Sequence, residues 1–307
     1  MIGSSDRAAL RRALELRARV VAALREFLAG RGCVEVETPV LIRAPAPERH
    51  IETIAAGDGR RLAASPELQM KRLLAAGSGP IFQIARSFRS REIGRLHNPE
   101  FAMLEWYRPG VTYVEFMDEC EALVREVDRR AIGPLGAAGP RTLDPDLPFL
   151  RLTVLEAFER FAGWIPDCAP DEMRFFADLV DKVEPSLPND RGVFLYRYPA
   201  SQGSLARPAP DDPSVAERFE MYLGGIEVAN AFTELADPAE QRRRFEAERA
   251  AICAAGRDTY PFDEAFLSDV GRMGLCAGAA LGVDRLLVAL TGAASLRDVL
   301  PFTWDDA

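Results

Sequence analysis

Residues 82–107, FQIARSFRSREIGRLHNPEFAMLEWY, constrain the fold more than any other stretch of the chain. Phe82 to Phe88 is apolar enough for a buried strand, and arginines at 86, 89, 91 and 95 carry it into a charged tip. Gly94 permits a turn, and Asn98-Pro99 breaks regular structure. Apolar residues then return, with Phe101, Met103, Glu105 and Tyr107 falling on one face of a second strand. The segment predicts strand, basic loop, strand: an antiparallel pair with a long tip.

A solvated tip is the ordinary outcome for an Arg-rich loop, because exposed charges contribute little. This loop also carries a histidine (His97), an aromatic side chain suited to stacking (Phe101) and, further on, Glu105 and Tyr107. Guanidinium groups suit bidentate phosphate contacts. The combination suits a site holding a polyphosphate, a purine and an amine.

At 307 residues the chain can bury a large core. A net charge of −9 argues against a non-specific polyanion binder and suits a cationic substrate or a basic protein partner. Of 38 basic residues only Lys71 and Lys182 are lysine, a bias read as compositional. Five widely spaced cysteines form no CxxC pair and no zinc pattern, which points to a reducing, cytoplasmic setting. No apolar run approaches the length of a membrane span.

Helical periodicity covers residues 7–30, 113–130 and 238–256, with a last helix from about Val283. Strands are expected at 193–198 and on either side of Gly224-Gly225, at 217–223 and 226–234. Residues 131–148 have the Gly, Ala and Pro content of a linker.

Four blocks together resemble the class II aminoacyl-tRNA synthetases of the lysine branch. Residues 82–107 are similar to motif 2 of that family. FLAGRGCVEVETPVL (27–41) is similar to motif 1, and GAALGVDRLLVAL (278–290) to motif 3. FEMYLGGIEVANAFTEL (219–235) resembles the strand pair that carries the family's metal-binding and substrate-binding glutamates. The resemblance implies an α+β fold, an antiparallel sheet flanked by helices, in one catalytic domain over residues 1–307 with a helical insertion at about 150–185. With motif 1 already under way near residue 20, the expectation is a chain without an anticodon-binding OB domain. In this it resembles the stand-alone lysyl-tRNA synthetase paralogues that modify elongation factor P. SPELQMKRLLAAG (65–77), EWYRP (105–109) and YPASQGSLA (198–206) share that likeness.

Residue roles follow from the resemblance. Arg89 and Arg285 are the implied catalytic arginines, Arg89 at the α-phosphate and Arg285 with His97 at the γ-phosphate. Phe101 and Arg285 would sandwich adenine, with Asn98, Glu227, Val228 and Gly282 completing the ATP site. Glu220 and Glu227, on successive strands of the Gly224-Gly225 hairpin, would pair across the ladder and hold Mg²⁺. Ser65, Pro66, Glu67, Glu105, Tyr107, Asn230, Phe232, Glu234 and Ala280 would bind the amino acid. Glu105, Tyr107 and Glu234 would receive the distal amine, and Glu67 the amine nearer the carboxyl.

Two positions depart from the family pattern. Arginine (Arg91) stands where motif 2 has glutamate, so either Glu92 reaches the nucleotide by a shifted loop or Arg91 contacts phosphate. Ala280 stands where lysyl-tRNA synthetases carry glycine, and its methyl would favour a β-amino acid. The expected activity is an AMP-forming ligase that activates (R)-β-lysine or lysine with ATP and transfers it to a lysine of elongation factor P, as a homodimer with Pro39 at the seam. The alternatives are a minimal lysyl-tRNA synthetase, against which the acidic charge weighs, and a regulatory paralogue without catalysis.

Overall fold

The computed structural model describes residues 4–133 and 141–306. Its helices are α1 (Ser4–Gly30), α2 (Glu67–Ala75), α3 (Tyr113–Val127), α4 (Val154–Phe161), α5 (Glu172–Asp178), α6 (Pro238–Ala254), α7 (Glu264–Asp269) and α8 (Val283–Thr291). Its strands are β1 (Val34–Glu35), β2 (Leu41–Ile42), β3 (Ala55–Gly57), β4 (Arg60–Leu62), β5 (Ile81–Phe88), β6 (Glu100–Pro109), β7 (Leu150–Thr153), β8 (Gly192–Pro199), β9 (Val215–Leu223), β10 (Ile226–Thr233) and β11 (Cys276–Gly282). Part of the expected linker, residues 134–140, lies outside the described residues. Its first residues continue α3 as one wider helical turn, Asp128–Ile132.

Eight strands form one sheet in the order β1-β5-β6-β11-β10-β9-β8-β7, and β2-β4-β3 form a small second sheet. The six central strands pair antiparallel, as expected. Both edge strands, β1 on β5 and β7 on β8, pair parallel, so the sheet is mixed rather than purely antiparallel. Each edge strand pairs with a strand remote in sequence, after intervening helices or loops, and such crossovers permit parallel pairing where a tight hairpin does not.

The two faces of the sheet have different duties, set by the alternation of side chains along each strand. Leu104 and Trp106 of β6 point into the main core with Phe219, Leu281 and the apolar stripes of α1 (Val20, Leu24, Leu28), α3 (Phe116, Leu123) and α8 (Leu286, Leu287, Leu290). Fully burying a side chain of this size is worth about 1.5–3 kcal/mol, so this layer fixes the sheet. The intervening residues Met103, Glu105 and Tyr107 face the other way, where the cavities open. Helix α8 starts directly off β11. Asp284 in its first turn accepts the Ala102 N–H of β6 at 3.0 Å. Gly292, at φ 68°, ends the helix in the left-handed conformation. Residues 154–186 include α4 and α5, whose Phe158 and Phe175 pack with Val193 and Leu195 of β8.

Candidate active site

The register across four neighbouring strands builds the floor of the site. Tyr107, Gly278, Phe232 and Arg218 form one rung, and Glu105, Ala280, Asn230 and Glu220 the next. Directly paired residues point to the same face. Small residues on β11 therefore make a trough, and larger polar ones on β6, β10 and β9 rise beside it. A Cβ on Gly278 would lie 2.3 Å from the Tyr107 ring and 2.8 Å from Glu234 Oε1, so the tyrosine and carboxylate close over the bare backbone.

A cavity of about 70 Å³ sits in this trough, bordered by Ser65, Glu67, Glu105, Tyr107, Asn230, Phe232, Glu234 and Ala280. Pro66 stands at the N-terminal boundary of α2, which aims Glu67 inward from its first turn. The Ser65 hydroxyl donates to Glu105 at 2.5 Å, and the Tyr107 hydroxyl donates to the other Glu105 oxygen at 2.9 Å. Burial, then the neighbouring Glu67, pushes the Glu105 carboxyl up to about 8. Burial likewise holds Glu234 up to about 8, against the pull of Lys71.

Sequence reasoning missed Lys71. It is buried, with Nζ 2.5 Å from Glu67 Oε1 and 2.5 Å from Glu234 Oε2, and 5.0 Å from the Phe232 ring centroid. Burial alone would lower its pKa, but Glu234 and Glu67 outweigh that and raise it. Although one oxygen of Glu234 is ion-paired, neither receives a well-aligned hydrogen bond from the described residues. Two buried carboxylate oxygens thus face the cavity with acceptor capacity to spare, a state that an entering ammonium would relieve. The signal was present in the sequence: Lys71 is one of two lysines among 38 basic residues, and it lies one helical turn after Glu67.

A second cavity of about 340 Å³ adjoins the first, and both are bordered by Glu48, Arg89, Met103, Asn230 and Ala280. Arg89, Glu92, His97, Asn98, Phe101, Glu227, Val228, Gly282 and Arg285 line it. Arg285 donates to Glu227 Oε2 at 2.9 Å, and its other amino nitrogen lies 2.5 Å from His97 Nε2. Burial, then Arg285, lowers the His97 pKa. The Arg89 guanidinium stands 5.3 Å from the Phe101 ring centroid, and its buried Nε has no hydrogen-bond partner among the described residues. Asn98 is tied in by its backbone neighbours, donating to the Glu100 carbonyl and accepting the Trp304 N–H.

Arg91 does not join this set. Its φ of 63° turns the loop outward and its exposed guanidinium lies 3.5 Å from Glu52, whereas Glu92 borders the cavity. At the motif 2 departure it is thus Glu92, and not Arg91, that lines the cavity. The acidic pair is also arranged differently from the expected cross-strand partnership. The Gly224-Gly225 turn sets Glu227 opposite Tyr222, and a bulge at Val228 then moves the register by one residue and sets Glu220 opposite Asn230, so the two acids are not direct cross-strand partners. The bulge turns Glu227 and Asn230, an odd number of residues apart, to the same face. Glu220 accepts from Arg218, Tyr198 and Tyr222. Burial and then Glu220 raise the Glu227 pKa, a strain that a shared cation would relieve. Among the described residues no group of three or more His, Cys, Asp or Glu side chains could hold a metal unaided.

The sequence profile described as tRNA synthetases class II (D, K and N) matches residues 4–306. The chain belongs to the class II tRNA synthetases. Among curated members, "Elongation factor P--(R)-beta-lysine ligase" of Salmonella typhi is 40% identical over 95% of this chain and 94% of its own length. The proteins of the same name from Salmonella gallinarum and Salmonella paratyphi B are 42% and 43% identical over the same shares. Membership of this synthetase family implies an ATP-using ligase. No helix among the described residues is long and apolar enough to cross a membrane. The class II identity accounts for the central sheet and for the helix α8 that follows β11.

Proposed function

We propose that this chain is an AMP-forming ligase that activates (R)-β-lysine with ATP and passes the acyl group to a lysine ε-amine of elongation factor P. One observation carries the amino-acid half of the reading. Three carboxylates, Glu67, Glu105 and Glu234, border one small cavity, and one buried cation, Lys71, pairs with two of them, Glu67 and Glu234. Full ionisation leaves the pocket two negative charges in excess, matching a substrate with two ammonium groups. The names of the relatives supply the acceptor and the β-amino acid.

In this reading the substrate's carboxyl end points toward the shared border of the two cavities. Arg89 there would neutralise the α-phosphate as a carboxylate oxygen attacks phosphorus in line and pyrophosphate departs. His97 and Arg285 would hold the β- and γ-phosphates, and Phe101 would stack on the adenine beside Asn98, Glu92 and Val228. Glu220 and Glu227 would hold Mg²⁺, which supplies charge neutralisation for the phosphates. The Ala280 methyl lies between Glu105 and Asn230 on the pocket floor, a place where it would crowd an α-amino group. Val34 and Leu41 are exposed near Pro39, in keeping with a homodimer seam at motif 1.

Incubation with ATP, Mg²⁺, (R)-β-lysine and elongation factor P is expected to add one β-lysyl group to the factor by intact mass. Pyrophosphate exchange without any mass increase would overturn the acceptor assignment. Absence of exchange would overturn the ligase reading.

A further inference from the structure

Glu48 has no part in the roles above, yet it borders three cavities at once: the nucleotide cavity, the amino-acid cavity and a third of about 610 Å³. Asn230 is the only other residue common to all three, and its side-chain oxygen already accepts from Arg218 at 3.0 Å. The third cavity runs outward past His50, Pro170, Phe176, Ser201 and Gln202. Among the described residues the Glu48 carboxylate has no hydrogen-bond or ion-pair partner.

The position matters because of where the acyl carbon must lie. A substrate whose amines reach into the first cavity and whose carboxyl meets an α-phosphate in the second has its reacting carbon at their shared border. Glu48 stands on that border and also lines the third cavity, whose other residues are largely separate from those of the first two. An acceptor side chain arriving there would be a lysine ammonium, which has no lone pair to attack with until it loses a proton.

We propose that Glu48 is the general base of the transfer step, taking a proton from the acceptor amine as it enters by the third cavity; the proposal rests on the ligase reading above. The Glu48 carboxylate accepts one ammonium proton. The amine lone pair forms the C–N bond to the acyl carbon, and the C–O bond to the phosphate breaks with its electron pair. AMP leaves, and its phosphate takes the second amine proton. Nothing is oxidised or reduced.

The surroundings tune the group for this work. Burial, then Glu67 of α2, raises the Glu48 pKa to about 7, while Arg89 after β5 pulls it down; Glu248 of α6 raises it and Arg218 of β9 lowers it. Tyr260 also faces it. A base is most effective with a pKa near the working pH.

The test compares wild type, Glu48→Gln and Glu48→Asp by pyrophosphate exchange, by single-turnover transfer to elongation factor P between pH 6 and 9, and by trapping the adenylate with hydroxylamine. Hydroxylamine is a neutral nucleophile near pH 7 and needs no base. Loss of a general base lowers rates by about 100-fold or more. The transfer-to-exchange ratio of Glu48→Gln should fall by about that factor at pH 7. The loss should narrow as pH rises, hydroxamate formation should persist, and Glu48→Asp should recover part of the transfer. An unchanged ratio would overturn the proposal, as would parallel loss of exchange, hydroxamate and transfer. If wild type exchanges pyrophosphate but leaves elongation factor P unmodified, the acceptor reading fails instead. Glu48 is then judged by the same ratio with Nα-acetyl-lysine amide as the amine.

Discussion

Binding of the diamino substrate should release protons, and the number can be worked from the pocket. Glu105 and Glu234 each sit near 8 in the unliganded protein. At pH 7 a carboxyl of that pKa holds ~0.9 of a proton. The substrate arrives with both amines protonated. Each ammonium that docks favours the ionised carboxylate and drives its pKa below 7. The release is therefore ~1.8 protons if both acids titrate independently, and ~0.9 if their coupling lets only the first go. Calorimetric titration in buffers of different ionisation enthalpy gives this number directly. It should shrink toward ~0.2 at pH 9, where the free acids are already ionised. A value near zero at pH 7, or one that grows with pH, would refute the assignment of these two carboxylates as ammonium receptors.

The same two acids give the free protein a pH-dependent stability. Their folded pKa values lie above the unfolded value, so the folded state binds more protons between about pH 4.5 and 8 and stability falls as pH rises through that window. Melting temperature should thus be lower at pH 8.5 than at 6.5, and saturating lysine should narrow the gap. Gly278→Ala should raise KM for the amino acid ~100-fold through displacement of Tyr107 and Glu234. ATP affinity, read by nucleotide titration, should change little. Ala280→Gly should shift the lysine to β-lysine ratio of kcat/KM toward lysine by about tenfold or more in pyrophosphate exchange. Val34→Asp with Leu41→Asp should shift a dimer toward monomer in sedimentation velocity, and an unchanged mass would place the seam elsewhere.

Local chemistry made much of this molecule legible from its sequence. The 82–107 hairpin, the Gly224-Gly225 hairpin and the helix after Gly282 each carry their own punctuation, and all three formed where that punctuation puts them. The one-sided set Met103, Glu105 and Tyr107 needed only a two-residue period. Features set by distant partners stayed hidden. The parallel edge pairings depend on strands far apart in the chain. The Val228 bulge shows only once both strands are aligned. Lys71 was passed over because its composition signal was averaged over all basic residues, and Glu48 because its importance lies in the spaces around it.

The extra residue in β10 has a consequence for how the site can vary. It divides one continuous strand into two segments of opposite phase, joined at Val228, with Glu227 governed by the hairpin end and Asn230, Phe232 and Glu234 by the far end. Alterations at the Gly224-Gly225 tip can therefore re-aim the acid beside Arg285 without rotating the residues that floor the amine pocket. One strand thereby lets the nucleotide half and the amino-acid half of the site be adjusted separately.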